Sequence, residues 1–490
     1  MASSINASLT AGIVQTADTS GNLNLQSGGT TIAAITSTGA EVTGTLSASG
    51  GATIQGLTVG RGSGSVASNT AVGASALGTL NTGNYNTAVG YASSVSLTSG
   101  YLNTALGAAS LYANTTGIAN TAIGGPAETS LNGVMRFNTT GSYNTALGSG
   151  ALAYNTTASG IVAVGYQAAY SNTSGTKNTA IGYQTYTVGT TAIDNTCVGY
   201  QTLNNTTGNY NTAVGSTALA LNTTGASNTA VGQGASQGNT SGAYNTSMGA
   251  GGVLSSNQTG SNNTALGYES QVYTTVDNNT SVGFQSLRAN TTGSGGVAIG
   301  YQSLLANSTG TGNHCVGTLS GWKMTTGSWN TGLGYASLRE ATTGSGNVMI
   351  GALNSTSSYA PAFNITTESN RVSIGSTSVT NAYVTVAWTV VSDARDKTNF
   401  ASIPHGLDFV TKLKPTAYQF RINRDSEETN GNVRYGFLAQ DILALEGVNP
   451  VIIDNETPDH LKYNGESLVP ILVKAIQELK AEIDLLKGAK

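Results

Sequence analysis

Ser392 and Lys397 stand five residues apart in VVSDARDKTNF, residues 390–400. A serine hydroxyl beside an uncharged lysine amine can attack a carbonyl, the amine taking the hydroxyl proton as the oxygen adds. Such a lysine must lose its proton near neutral pH, which needs burial or a cationic neighbour, and Arg395 is a candidate neighbour. The spacing suits neither regular element. In a strand an odd separation puts the two side chains on opposite faces, and in a helix five residues place them about 140° apart. A tight turn, or a lysine from a neighbouring chain, is required. A plainer reading also fits, in which Ser392 or Asp393 caps a short helix.

Other chemistry is sparse. Glycan hydrolysis needs two carboxylates flanking one bond. Before Ser392 the repeats offer Glu128, Asp194, Glu269, Asp277 and Glu340, with no recognisable pair. Cys197 and Cys315 are too far apart in sequence to define a disulfide framework, and they are expected to be small buried residues. His405 and His460 match no catalytic or ligand pattern and are expected to be structural or on the surface. No cofactor and no metal are expected. A net charge of −4 gives no basic footprint, which argues against nucleic acid. No stretch approaches a membrane span, and the N-terminus lacks the basic and apolar regions of a signal peptide.

Two compositions meet at Ser392. Residues 1–391 hold 15 of the 42 charged residues and 59 of the 65 glycines, while the last 99 residues hold the other 27 charges. Scarce proline and charge in the long first part point to an ordered repeat rather than to disorder.

That repeat is Asn-Thr-Ala-Val-Gly, beginning at Asn69, Asn86, Asn103, Asn120 and Asn144 and ending at Asn347, 17 copies over residues 69–351. Most spacings are 17. The fourth residue is always apolar and the fifth always Gly, which marks a corner needing positive φ or close backbone approach. A second turn such as Asn114–Gly117 or Asn205–Gly208 follows mid-unit, often after Leu. Two short strands and two Gly/Asn turns make one coil of a parallel β-solenoid. The pattern places Val, Ile and Leu inside, with Asn and Thr stacked coil on coil. One unit gains seven residues between Asn120 and Asn144, in GGPAETSLNGVMRF. Insertions in solenoids become loops, often on the binding face, so Glu128, Arg136 and Phe137 are candidate receptor contacts.

The repeat core is similar to the head repeats of YadA-type trimeric adhesins. From Ser392 on, SDARDK, then GFLAQDI at Gly436–Ile442, then YNGESLVPILVKAIQELKAEID, resemble the endosialidase-type intramolecular chaperone family. Those are self-cleaving C-terminal domains of phage tail fibres and tailspikes. The resemblance implies Ser392 as nucleophile, Lys397 as its base and Val391–Ser392 as the cut bond. It also implies supporting roles for Asp393, Arg395, Gln440 and Asp441, the last standing where the family usually has Glu. The closing segment puts Leu472, Ile476, Leu479, Ile483 and Leu486 on a heptad seam, and Pro470 suits its first turn.

The expected architecture is mainly β and homotrimeric. Residues 1–68 form a β-rich attachment stem, 69–351 the solenoid, 352–391 a strand neck, and 392–490 a small α+β chaperone ending in a coiled-coil helix. The expected function is a structural, host-binding phage tail fibre, assembled in the host cytoplasm and carried on the virion. Its N-terminus joins the tail or baseplate, and a cell-surface glycan or outer-membrane component serves as receptor. A glycan-degrading tailspike enzyme is the alternative.

Overall fold

The structure, a computed structural model, describes residues 57–488 except 81, 127–132, 380–381, 384, 386–391, 422–426 and 457, together with the backbone of four strands upstream. It divides into two units, residues 1–295 and 296–490.

In the first unit, strands Leu23–Ser27, Thr30–Thr36 and Gly39–Val42 form an antiparallel sheet. Thirteen three-residue strands follow, from Thr70–Val72 to Thr280–Val282. Each described pairing between successive strands is parallel and in register, so that Ala88 lies opposite Ala71 on one side and Ala105 on the other. Leu57–Gly60 pairs antiparallel with the first of them. The second unit carries five more such strands, Val297–Ile299, His314–Val316, Thr331–Leu333, Val348–Ile350 and Val372–Ile374, again parallel. The chain is therefore a parallel β-solenoid of 17-residue coils.

The fifth-position glycine has two physical reasons. Gly182 sits at φ +137°, and a Cβ there would lie 2.0 Å from the carbonyl oxygen of Gly199 in the next coil. Only glycine meets both conditions. The first-position asparagines form a ladder inside the coils. Asn103 donates from its backbone N and its Nδ2 to Asn86 Oδ1, at 3.0 and 3.1 Å, and from Nδ2 to Gly117 O at 2.9 Å. A buried amide left unpaired would cost roughly 1–3 kcal/mol, so the ladder fixes the register of one coil on the next. It survives irregular coils: Asn211 N still reaches Asn195 Oδ1 at 2.9 Å, and Asn144 N reaches Asn120 Oδ1 at 3.0 Å across the insertion.

Three expectations change. Each coil has one short strand, not two. The second apolar segment is a run of turns in which alternate residues are left-handed, as Gln201 and Leu203 are at φ +48° and +47°. It still bonds to the next coil, Leu203 N donating to Ala218 O at 3.0 Å. The interior is also filled differently. The third-position residue is buried (Ala88, Ala105, Cys197 and Cys315 at 0%), joined by the mid-unit leucines such as Leu111 and Leu203. The fourth-position Val, Ile or Leu faces outward, with Leu106 and Leu147 each 45% exposed. Finally, parallel pairing runs past Gly351 to an eighteenth strand, Val372–Ile374, in the segment read as a neck. Arg371 takes the asparagine's place there, its backbone N donating to Asn347 Oδ1 at 2.9 Å.

Beyond the coils the second unit has helices α1 (Leu407–Val410), α2 (Ala439–Glu446) and α3 (Leu468–Gly488) and the hairpin Thr416–Arg421/Thr429–Gly436. Its core is small: Phe409, Ile442, Ile452, Ile453, Leu468 and Ile471. The Glu446 carboxylate pins one loop by accepting the backbone N–H groups of Val451, Ile452 and Ile453 at 2.8, 2.6 and 2.9 Å. No helix among the described residues is long and apolar enough to cross a membrane.

Candidate functional site

A three-residue 3-10 turn, Ala394–Asp396, separates Ser392 from Lys397. Asp393 caps it, its carboxylate accepting the Arg395 backbone N–H at 2.9 Å. Lys397 N closes the turn on Ala394 O at 3.2 Å. The chain thus reverses within five residues, and Lys397 Nζ donates to Ser392 Oγ at 2.6 Å. The tight turn answers the spacing problem, and it does so within one chain. The Asp393 cap and the Lys397–Ser392 contact occur together, because the capped turn brings the two side chains close.

The electrostatics differ from the expectation. Arg395 grips Asp393 through Nε, at 3.1 and 3.2 Å, and through Nη2 at 2.6 Å. The hydrogen bond from the Arg395 side chain, then that from its backbone, holds the Asp393 carboxyl below its ordinary value. The guanidinium in turn is held above its own. Arg395 is therefore matched by a carboxylate. Ser392 through Phe400 are all exposed. The turn presents a hydroxyl and an amine at hydrogen-bonding distance, on the surface.

The other predicted positions scatter. Gln440 and Asp441 lie in the first turn of α2, and no hydrogen bond joins them to the dyad among the described residues. Val391 and Glu128 lie outside the described residues. Arg136 and Phe137 are not in the insertion. Ala113 N donates to Arg136 O at 2.9 Å, which puts both back in coil register. Arg136 sits over the Tyr112 ring at 5.0 Å, and Phe137 stacks on Tyr154 with centroids 5.0 Å apart. His405 packs against the Phe409 ring at 4.3 Å. Cys197 and Cys315 are free and buried, and burial raises both thiols, that of Cys315 to about 12. No cluster of metal-ligating side chains occurs among the described residues.

The described solenoid carboxylates make no hydrolytic pair. Glu269 is bonded to Gln285 and Arg288, each at 2.8 Å, and these partners, Gln285 first, hold its carboxyl below the ordinary range. A general acid needs the opposite shift. Glu340 is engaged by Lys323 and Arg339.

No curated protein and no solved structure matches the chain. A family model does match its charged segment, and the match begins at the serine of the dyad: residues 392–447 are similar to the family described as chaperone of endosialidase.

Proposed function

We propose that this chain is a homotrimeric phage tail fibre whose C-terminal domain drives assembly and then cleaves itself from the fibre at Val391–Ser392. A parallel β-solenoid followed by a chaperone-of-endosialidase segment fits a protein of the tail fibre or tailspike type. The observation that carries the cleavage reading is the 2.6 Å contact between Lys397 Nζ and Ser392 Oγ.

In the proposed reaction Ser392 Oγ adds to the Val391 carbonyl carbon and its proton passes to a neutral Lys397 amine. The Ser392 nitrogen leaves as an amine, taking that proton, and the resulting ester is hydrolysed by water. Val391 ends as a carboxylate and the Ser392 hydroxyl is restored. The single chain holds the lysine exposed and as the donor. Packing of copies around the turn supplies the burial that favours the neutral amine.

Assembly is supported by what α3 leaves uncovered. Leu468, Ile471 and Ala475 pack inward, while Ile476 is 66% and Leu486 72% exposed on the heptad seam. Two exposed contacts tie the domain to the last coils: the Arg371–Glu456 ion pair, and Lys462 Nζ 4.0 Å from the Phe363 ring centroid. Exposed pairs are worth about 0–1 kcal/mol each, so these two contacts hold a severed domain only weakly. Intact mass on a denatured sample, beside sedimentation of the native one, tests the reading. Residues 1–391 and 392–490 as separate chains of a particle that assembled as a trimer are expected. A single intact chain in a mature trimer would remove the cleavage.

A further inference from the structure

The fourth repeat position carries Val, Leu, Ile or Met in all eighteen strands, from Val72 to Ile374, although it points away from the core. The second position, two residues back and on the same face, is Thr or Val at every strand except for His314. Over 36 outward positions there is one ionisable side chain. An outward column that meets only water has no reason to stay so uniform. The residue just before each repeat asparagine shows what drift looks like, running through Tyr85, Leu102, Gly160, Lys177, Asp194 and Trp329.

We infer that this stripe is where copies of the chain pack along the length of the solenoid, each turning its Thr/aliphatic face to the others. The inference rests on the trimer reading above and says which face serves it. Three observations favour further copies of this chain as the occupant. The stripe has almost no charge, so it offers a partner neither an electrostatic code nor a desolvation cost. Its amount is large: at roughly 50 Å² per rung, the thirteen rungs of the first unit leave on the order of 650 Å² of aliphatic surface, more than the few hundred a monomer ordinarily shows in one patch. With the threonine methyls added, it approaches the about 800 Å² that each partner gives to a standard interface. Finally, the stripe repeats rung by rung. A partner that stays in contact over many rungs must share the spacing, and a parallel copy of the same coils shares it without adjustment.

In a closed symmetric assembly the same rung of each copy lies at the same height, so identical residues face one another. Full-length protein carrying Val231→Cys is therefore expected to form chain-to-chain disulfides under mild oxidation, or links through a short bis-maleimide. Two of the three chains in each particle would run as a linked pair on a non-reducing denaturing gel. Thr224→Cys, at an exposed position of the Asn222–Gly225 turn, is expected to stay unlinked. The native Cys197 and Cys315 are buried and do not compete. Reduced Val231→Cys protein should sediment as the parent does, which excludes misfolding. Linkage at 224 with none at 231, or at neither, in a particle that sediments as a trimer overturns the face and leaves the trimer standing. A parent protein that sediments as a monomer overturns both, and leaves the stripe to some other partner.

Discussion

The coils and the domain that follows them solve burial in opposite ways. A coil satisfies itself along its own chain: Ala and Leu fill the interior, and asparagine amides bond from one turn to the next. Among the described residues after Ser392 the apolar side chains buried are Phe409, Ile442, Ile452, Ile453, Leu468, Ile471 and Ala475. It leaves Tyr435 90%, Leu486 72% and Ile476 66% exposed. Repetition lets each turn serve as template for the next, whereas the mixed domain encloses a small core and leaves large apolar side chains open. The lesson is a division of labour. Once started, the solenoid propagates, but it has no obvious nucleus. The C-terminal domain leaves apolar side chains uncovered, and the proposed assembly of copies would cover them.

The largest expected effect follows from that contrast. Expression of residues 1–391 alone is expected to give insoluble or monomeric protein, because the segment proposed to bring copies together is missing. Sedimentation of the soluble fraction checks it, and a soluble trimer of 1–391 would show that the coils nucleate unaided.

Next comes the dyad, where the effect is total on cutting and absent on assembly. Ser392→Ala and Lys397→Ala are each expected to give full-length trimers that retain the C-terminal domain. Because Lys397 reaches the serine of its own chain, mixed particles made by co-expressing the two variants are expected to stay uncut as well. Cut subunits in such mixed trimers would mean that the lysine acts across chains once the particle has formed.

A smaller effect tests the propagating half. Gly182→Ala places a methyl group on the next coil's carbonyl and holds alanine at φ +137°, a conformation costing roughly 1–3 kcal/mol before the clash is added. A melting temperature lower by several degrees is expected. Gly125→Ala, with nothing within 4 Å of the added carbon and no positive φ, should melt with the parent.

The period, the ladder of asparagines and the glycine corners were legible in the sequence because each reports a backbone requirement repeated many times. Which apolar column faces inward was not. Hydrophobic residues are common on surfaces as well as in cores, so apolarity alone does not give the phase of a three-residue strand. The left-handed conformations of Gln201 and Leu203 removed the expected second strand, and nothing local in those residue types announces them, since packing holds them there. The eighteenth strand did leave a signal, Ile374 followed by Gly375, but Arg371 stood where the asparagine was sought. At the site, residue types and order were readable, and the spacing excluded both regular geometries and left a tight turn or a neighbouring chain. Which of the two brings Lys397 to Ser392 was not readable, because it depends on the local turn capped by Asp393.

That turn carries the smallest and most discriminating expectation. Asp393 does two things at once: its carboxylate caps the turn through Arg395 N, and it binds the Arg395 side chain. Asparagine is also a good cap but cannot form the ion pair, whereas alanine does neither. If the cap positions the dyad, Asp393→Ala should slow cutting several-fold, Asp393→Asn should cut at close to the parent rate, and all three should form the same trimer. If the ion pair is what matters, Asn and Ala should be slowed alike and Arg395→Ala should copy them. The carboxyl is held below its ordinary value in the folded chain. Its contribution is therefore fully present above the ordinary carboxylate range and fades only as pH falls through the lowered value. The difference between parent and Asp393→Ala should accordingly be constant across neutral pH. A difference that shrinks between pH 6 and 8 would mean that some other group controls the turn, and that Asp393 is an exposed carboxylate with no part in placing Lys397.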